Sequence, residues 1–256
     1  MSEEKKLISQ LLTAGVHYGH LTRKWDPNMA PYIHMDREGI HIINLYKTLQ
    51  EIERAKDALE KIAFSGRPIL FVSTKKQAKD IIAKAARQVN MPYINERWPG
   101  GTLTNFVTIR KAVRKMGIID RMKGEGSFKT LSKRERLQKI RLRAKLEKNL
   151  GSIATMEKLP GALLVVDVVR EQIAVREANK LKIPVFALVD TNSDPRNIDF
   201  VIPANDDSSK SIDLILQLIL PSIKKGISMR KENLRKQTEK KQDQTQKKET
   251  QTTVKK

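Results

Sequence analysis

Three stretches, ILFVS (69–73), GALLVVDVV (161–169) and IPVFALVD (183–190), are almost unbroken runs of apolar residues. A strand with one face in water alternates apolar and polar side chains; these do not, so both of their faces must be covered. The covering elements lie between them. Residues 75–89 place Ala78, Ile81, Ile82 and Ala85 on one helical face, and EQIAVREANKL (171–181) repeats the pattern before the third run. Buried strands separated by amphipathic helices require a parallel sheet with helices on both sides, an α/β fold. DFVIPAN (199–205) supplies a closing strand, and Ser208 or Ser209 caps a last helix through Ile212, Ile215, Leu216 and Ile219.

The first third is less regular. Leu7, Ile8, Leu11 and Leu12 suggest one short helix across residues 1–20, followed by a loop punctuated by Pro27 and Pro31. Ile40, Ile42 and Ile43 indicate a strand. Leu49, Ile52, Ala55, Leu59 and Ile62 then mark a helix over 45–64 that Gly66 ends, and MPYI (91–94) reads as a short strand.

One segment breaks this rhythm. Ile109, Val113, Met116, Ile119 and Met122 form a single stripe, with Lys and Arg in most of the remaining positions. Gly124 and Gly126 interrupt it, and Leu137, Ile140 and Ala144 mark a second helix at about 132–150. The pattern predicts an antiparallel, coiled-coil-like hairpin at 105–150, inserted between the two parts, 1–104 and 151–226, of one α/β domain. From 227 to 256 the chain is Lys, Gln, Thr and Glu with almost no apolar residue, so this tail is expected to be disordered.

The net charge of +21 follows the same division. Residues 107–150 hold 15 Lys/Arg against 4 Asp/Glu, and residues 221–256 hold 12 against 4. Between them, 151–220 is slightly acidic, with 7 against 10. An excess of cations concentrated in an arm and a tail is a footprint for a polyanion rather than for a small substrate. Cysteine is absent, which excludes disulfides and thiolate metal sites. No apolar run approaches the roughly 18 residues that a membrane span needs, so a soluble, cytoplasmic protein is expected.

Several stretches carry candidate chemistry. RWPGGTLTNF (97–106) puts two glycines before a helix, as a phosphate loop does, with Thr102 or Thr104 as a cap; no GxxxxGK[ST] or strand-borne GxGxxG accompanies it. GEGSFK (124–129) is glycine-rich but lies between helices. His17 and His20, three residues apart on the expected helix, form a weak zinc pair, with His34, His41, Asp190 and Asp206 elsewhere as further donors. No other cofactor is indicated. In TRKWDPN (22–28), Arg23 and Lys24 flank Trp25, which suits RNA, although Trp25 equally suits packing of the N-terminal helix; Trp98 has the same two readings. VDTNSDP (189–195) leaves a strand end, where Asp190 or Asp194 is either catalytic or bonded to its own turn.

Taken together, TAGVHYGH (13–20), KWDPNMAPYI (24–33), GIHIINLYKT (39–48), RWPGGTLTNF, PGALLVVDV (160–168) and PVFALVDTNSDP (184–195) resemble, in order, the signature blocks of the bacterial small-subunit ribosomal protein S-two family. The resemblance runs to about residue 225. It implies a Rossmann- or flavodoxin-like parallel sheet with an inserted helical hairpin, no catalysis and no small-molecule substrate. It also implies small-subunit rRNA and neighbouring ribosomal proteins as partners, among them the large multi-OB-fold protein that captures mRNA. Some members are associated with zinc, without ligands being assigned. On this reading Arg110, Lys111, Arg114, Lys115, Arg121, Lys133, Arg134, Arg136 and Arg141 of the hairpin neutralise rRNA phosphates, and Arg23, Lys24, Trp25 and Arg97 add contacts from the domain. The rival readings are an enzyme acting on a nucleotide or sugar phosphate, and an RNA chaperone that works outside the ribosome.

Overall fold

The computed structural model describes residues 3–253 apart from Ser127 and Lys129; Glu3 and residues 237–253 are described by their backbone alone. Five parallel strands form the central sheet: β4 (Ile69–Val72), β5 (Tyr93–Ile94), β6 (Ala162–Val166), β7 (Val185–Val189) and β8 (Phe200–Pro203). Their spatial order is β5-β4-β6-β7-β8, so the chain reverses direction across the sheet between β4 and β6. That is the doubly wound arrangement in which ligand crevices open at strand carboxyl ends.

Alternate strand residues feed two cores. Ile69, Phe71, Leu164, Val166, Phe186 and Leu188 point to one face, where α2 (Leu45–Ser65), α3 (Lys76–Gln88) and α7 (Ser209–Thr253) cover them. Leu70, Val72, Leu163, Val165, Ala187 and Val189 point to the other, toward α6 (Gln172–Lys180), Met29, Trp98 and Met156. Near-continuous apolar runs were required because both sides of each strand are dry. Asn44 begins α2 by accepting from the amides of Tyr46 (3.0 Å) and Lys47 (3.4 Å), and Gly66 ends it with φ +80°. Ser208, rather than Ser209, opens α7, its hydroxyl accepting from Ser211 N at 3.4 Å.

The tightest helix contact is between α2 and α7. A Cβ on Gly226 would lie 2.4 Å from the Glu60 carbonyl oxygen and 2.9 Å from the Ala63 Cβ. Only a glycine lets the two backbones approach this closely. Gly226→Ala is therefore expected to lower stability by about 1–3 kcal/mol through overpacking, read as a lower melting temperature with unchanged helix content.

The N-terminal region departs from its expected single helix. The first helix, α1 (Glu3–Thr13), stops at Thr13, and Gly15 turns the chain with φ +73°. β1 (Tyr18–Leu21), β2 (Ile33–Arg37) and β3 (Ile40–Ile43) then make a small antiparallel sheet in the order β1-β3-β2. β1 was hidden because its segment is short and polar, and only pairing with a distant strand makes it one: Tyr18 faces Ile42, 24 positions on.

Between β5 and β6 the chain forms α4 (Phe106–Gly124) and α5 (Lys133–Leu150). They run antiparallel: Arg143 Nε meets Asp120 Oδ1 at 2.8 Å, and Lys139 Nζ meets Met122 Sδ at 3.5 Å. The stripe expected on α4 is turned inward, with Met116 and Ile119 buried and Ile109 and Val113 packed on the second core. The stripe expected on α5 is not. Leu137 and Ile140 are 47% and 49% exposed and Ala144 is exposed, while Leu146 and Leu150 make the contact with the second core. The α5 sequence contains two leucine rows, and only the docked one is used.

The tail also differs from expectation over its first part. Helix α7 continues through residue 227 to Thr253, with Ile227 packed on the first core. Arg230 is laid so closely over Gly66 that a Cβ there would overlap its guanidinium. Lys, Glu, Gln and Arg are all good helix formers, so a helix anchored by Ile212–Ile223 propagates beyond its apolar face. The side chains expected to form the tail from residue 237 lie outside the described residues.

Candidate nucleic-acid interface

The Gly-Gly loop does cradle an anion, and the anion is the protein's own. Glu177, on the inward stripe of α6 between Ala174 and Ala178, extends its carboxylate into RWPGGTLTNF. Its Oε1 accepts from Trp98 Nε1 at 3.1 Å and Gly101 N at 2.8 Å. Oε2 accepts from Leu103 N at 2.9 Å, Thr104 N at 3.1 Å and Thr104 Oγ1 at 3.2 Å. Burial pushes this carboxyl upward, but the donors of Trp98, Thr104, Leu103 and Gly101 outweigh it and hold the group below the usual carboxylate range.

The loop's residues are thereby reassigned. Trp98 is a buried packing residue and hydrogen-bond donor. Gly101, not Gly100, needs the left-handed conformation, at φ +84°. Neither threonine caps the following helix: Thr102 Oγ1 donates to Pro99 O and Thr104 Oγ1 to Glu177. A sequence clue was present, since a glutamate on an otherwise apolar helix stripe must meet donors somewhere.

A second such turn follows β4. The Thr74 amide and hydroxyl both donate to Glu171 Oε1 at 2.6 Å. This is the first strand-to-helix turn of the sheet, where nucleotide-binding relatives of the fold place a phosphate. Burial raises the Glu171 carboxyl, with the Thr74 bonds opposing.

Next to it, at the β4/β6 reversal, lies a cluster of charges. Lys75 Nζ contacts Asp206 Oδ1 at 2.6 Å, Asp207 Oδ1 at 2.7 Å and Asp167 Oδ2 at 3.2 Å. Burial alone would lower the lysine; hydrogen bonds to Asp206 and Asp207 and the nearby negative charges reverse this and raise it. Asp167 sits at the end of β6 with φ +70°, a strained conformation that aims its side chain into the group. Asp190, at the end of β7, and Asp206 are each 1% exposed. Burial first, then the charges of Asp190 and Asp167, push Asp206 up to about 7 against the pull of Lys75. His20 reaches in from β1, with Nδ1 3.0 Å from Asp190 Oδ2 and Nε2 3.3 Å from Asp207 Oδ2. The Asp190 hydrogen bond leads in raising the histidine.

This changes the expected zinc pair. His17 and His20 do not share a helix face, because the helix has ended before both. His17 lies tilted against Tyr18, centroids 4.1 Å apart, while His20 turns toward Asp190 and Asp206. Asp194 bonds its own turn, accepting from Arg196 N and Nε at 3.0 Å.

The cations expected to meet RNA are placed differently. Arg23 and Lys24 stand exposed on a short 3-10 turn, beside Trp25, which is 38% exposed and tilted against His41 with centroids 5.0 Å apart. Arg97 is exposed on the Gly-Gly loop. Lys111, Arg114, Lys115 and Arg121 on α4, and Lys133, Arg134 and Arg141 on α5, are exposed, and none has an acidic partner among the described residues. Two of the expected set are engaged internally. Arg110 donates to the Ala154 and Met156 carbonyls at 3.0 Å, pinning the base of α4, and Arg136 Nε donates to Leu131 O at 3.0 Å.

The model of the family described as ribosomal protein S2 matches residues 11–226. The chain belongs to the ribosomal protein S2 family. It is 70% identical over 223 residues to the small ribosomal subunit protein uS2 of Flavobacterium johnsoniae, covering 87% of this chain and 88% of that one. With the uS2 protein of Phocaeicola vulgatus it shares 62% over 221 residues, 86% and 79% of the two chains. The Bacteroides thetaiotaomicron uS2 protein is 60% identical over 221 residues, again 86% of this chain and 80% of the relative. Members of the family are ribosomal structural proteins, and this chain is not an enzyme. Among the described residues no helix is long and apolar enough to cross a membrane.

Proposed function

We propose that the chain is a structural, rRNA-binding constituent of the small ribosomal subunit, acting in the cytoplasm, with 105–150 as a stiff basic arm on the α/β domain. The carrying observation is the distribution of uncompensated charge. Exposed cations without acidic partners among the described residues line α4 and α5, whereas the crevice at the strand ends is filled by carboxylates. Both turns that could hold a phosphate are already occupied, by Glu171 and Glu177. A nucleotide or sugar phosphate would meet negative charge there. A polyanion meets positive charge along the arm.

The packing supports the arm's stiffness. Phe106, Ile109, Ala112 and Val113 of α4 and Leu146 and Leu150 of α5 join the domain core together at the base of the arm, and Met116 and Ile119 continue as a coiled-coil-like seam. Cations held on such a frame read RNA by shape and phosphate spacing more than by base identity. Arg23, Lys24 and Arg97 extend the surface, with Trp25 offering an exposed ring face. Recruitment of the multi-OB-fold protein that captures mRNA belongs to the same reading and rests on family membership.

Small subunits depleted of this protein provide the test. Full-length chain added to them should sediment with the particles at one copy each. A chain left at the top of the gradient, or one that turns over a nucleotide or sugar phosphate, would sink the proposal.

A further inference from the structure

We infer that a cavity at the amino ends of β4 and β5 is a binding site for a nucleoside phosphate, which it holds without turning over. This end of the sheet lies opposite the carboxylate-filled crevice. The last turns of α2 and α3 and one face of α7 enclose about 580 Å³ there, a size usual for small-ligand pockets. In KKGISMRKENL (224–234), Lys224, Ile227, Lys231 and Leu234 recur at three and four, so a single stripe of α7 faces the space.

What marks the cavity is positive charge with nothing to neutralise it. Arg67, Lys224, Arg230 and Lys231 line it, and no aspartate or glutamate does. None of these four side chains makes a hydrogen bond or an ion pair among the described residues. Their neighbours do: Lys225 meets Glu60 at 2.9 Å and Lys236 meets Glu232 at 2.6 Å. The carboxyl ends of α2 and α3 border the same space and favour cations there. That accounts for the gathering of charge, and it leaves the donors of all four side chains unused.

The two arginines are seated by glycines. A Cβ on Gly161 would lie 2.6 Å from the Arg67 Cβ and 3.5 Å from its Cδ, so the stem of Arg67 runs along bare backbone. Arg230 lies over Gly66 in the same way. Two guanidiniums are thus held at one cavity, and their planar forks match the oxygens of a phosphate.

The remaining lining fits the rest of a nucleotide. Pro68, Met91 and Ile227 give an apolar wall for a base, while the exposed amides of Gln88 and Asn90 can pair with a base or sugar edge. Inorganic phosphate would use the arginines and leave that wall uncovered. No carboxylate or imidazole lines the cavity, so it supplies no general base. A free mononucleotide and one nucleotide of an RNA strand carry the same chemistry. The cavity is separate from the arm, and the inference stands whether or not the arm is the main rRNA contact.

The test uses the full chain with Lys111, Arg114, Lys115 and Arg134 changed to Gln, so that these arm contacts do not contribute. Calorimetric titration at low salt with uridine and adenosine monophosphate, with hexamers of each nucleotide, and with inorganic phosphate compares the ligands. One nucleotide-bearing ligand per chain is expected to bind with Kd below about 1 mM, and inorganic phosphate at least about 10-fold more weakly. A hexamer at least about 10-fold tighter than its monophosphate identifies an RNA strand as the source, and equal affinity identifies the free nucleotide. Arg67→Gln and Arg230→Gln should each weaken binding at least about 10-fold. Both positions are exposed, so the fold is kept, and Lys61→Gln, outside the cavity on α2, controls for loss of one charge. A hexamer carrying 4-thiouridine should crosslink to residues 66–68, 88–91 or 227–234. The proposal is overturned if no nucleotide binds saturably, if inorganic phosphate binds as tightly, or if the two arginine variants lose no more than Lys61→Gln.

Discussion

Replacing Lys111, Arg114, Lys115 and Arg134 together with Gln is expected to weaken binding to small-subunit rRNA by about 100- to 1000-fold near physiological salt. The four side chains are exposed on α4 and α5 and have no acidic partner among the described residues, so their charge is available to phosphates. Each lost contact removes about 0.7–0.9 from the slope of log affinity against log salt, a total of about 3. Stability should barely change, because exposed positions of this kind contribute little to it. Arg110 and Arg136 are left in place, since their bonds to Ala154, Met156 and Leu131 carbonyls support the hairpin itself. A salt titration of rRNA binding, with circular dichroism alongside, separates the outcomes. An unchanged slope would mean that the arm is not the principal phosphate contact.

Glu177→Gln is expected to cost about 3–4 kcal/mol of folding stability, the loss of several charge-assisted bonds to donors that stay buried. For a chain of this size that corresponds to a drop of roughly 10 °C in melting temperature. An amide presents only one accepting oxygen and turns its own N–H groups toward the loop donors that five bonds now satisfy. The acid limb of the stability curve provides a second reading. Because the folded-state value of Glu177 is depressed, the unfolded chain takes up its proton first as pH falls. The contribution is full above the ordinary glutamate value of about 4.5 and disappears as pH drops through the folded-state value. Wild type should therefore lose stability more steeply than Glu177→Gln below about pH 4.5. Thermal melts of both proteins across that range test this. A melting temperature within about 2 °C of wild type at neutral pH would show that the loop holds its shape without the carboxylate.

Local pattern was enough for the sheet and the helices that cover it. ILFV, ALLVV and VFALV each became a buried strand, because a run without a polar face can satisfy its backbone only inside a parallel sheet. The helix at 45–64 was equally legible, since its apolar residues recur at three and four over five turns. Clustered Lys and Arg located the basic hairpin for the same reason: charge and period are properties of neighbours in sequence. The family blocks were legible too.

Three features were decided by contacts between distant residues. β1 exists because Tyr18 finds Ile42, and so His20 lies on a strand facing Asp190 rather than on a helix beside His17. The Gly-Gly loop resembled a phosphate cradle, and only α6 packing beneath it brings in Glu177 from more than 70 residues away. On α5 the sequence carries two leucine rows of similar spacing, and docking against the domain selects Leu146 and Leu150 over Leu137 and Ile140. Residues 1–256 thus specify, by period and charge, which elements form and where the cations lie. Which buried donor meets which carboxylate depends on three-dimensional approach, a quantity that spacing along a chain does not encode.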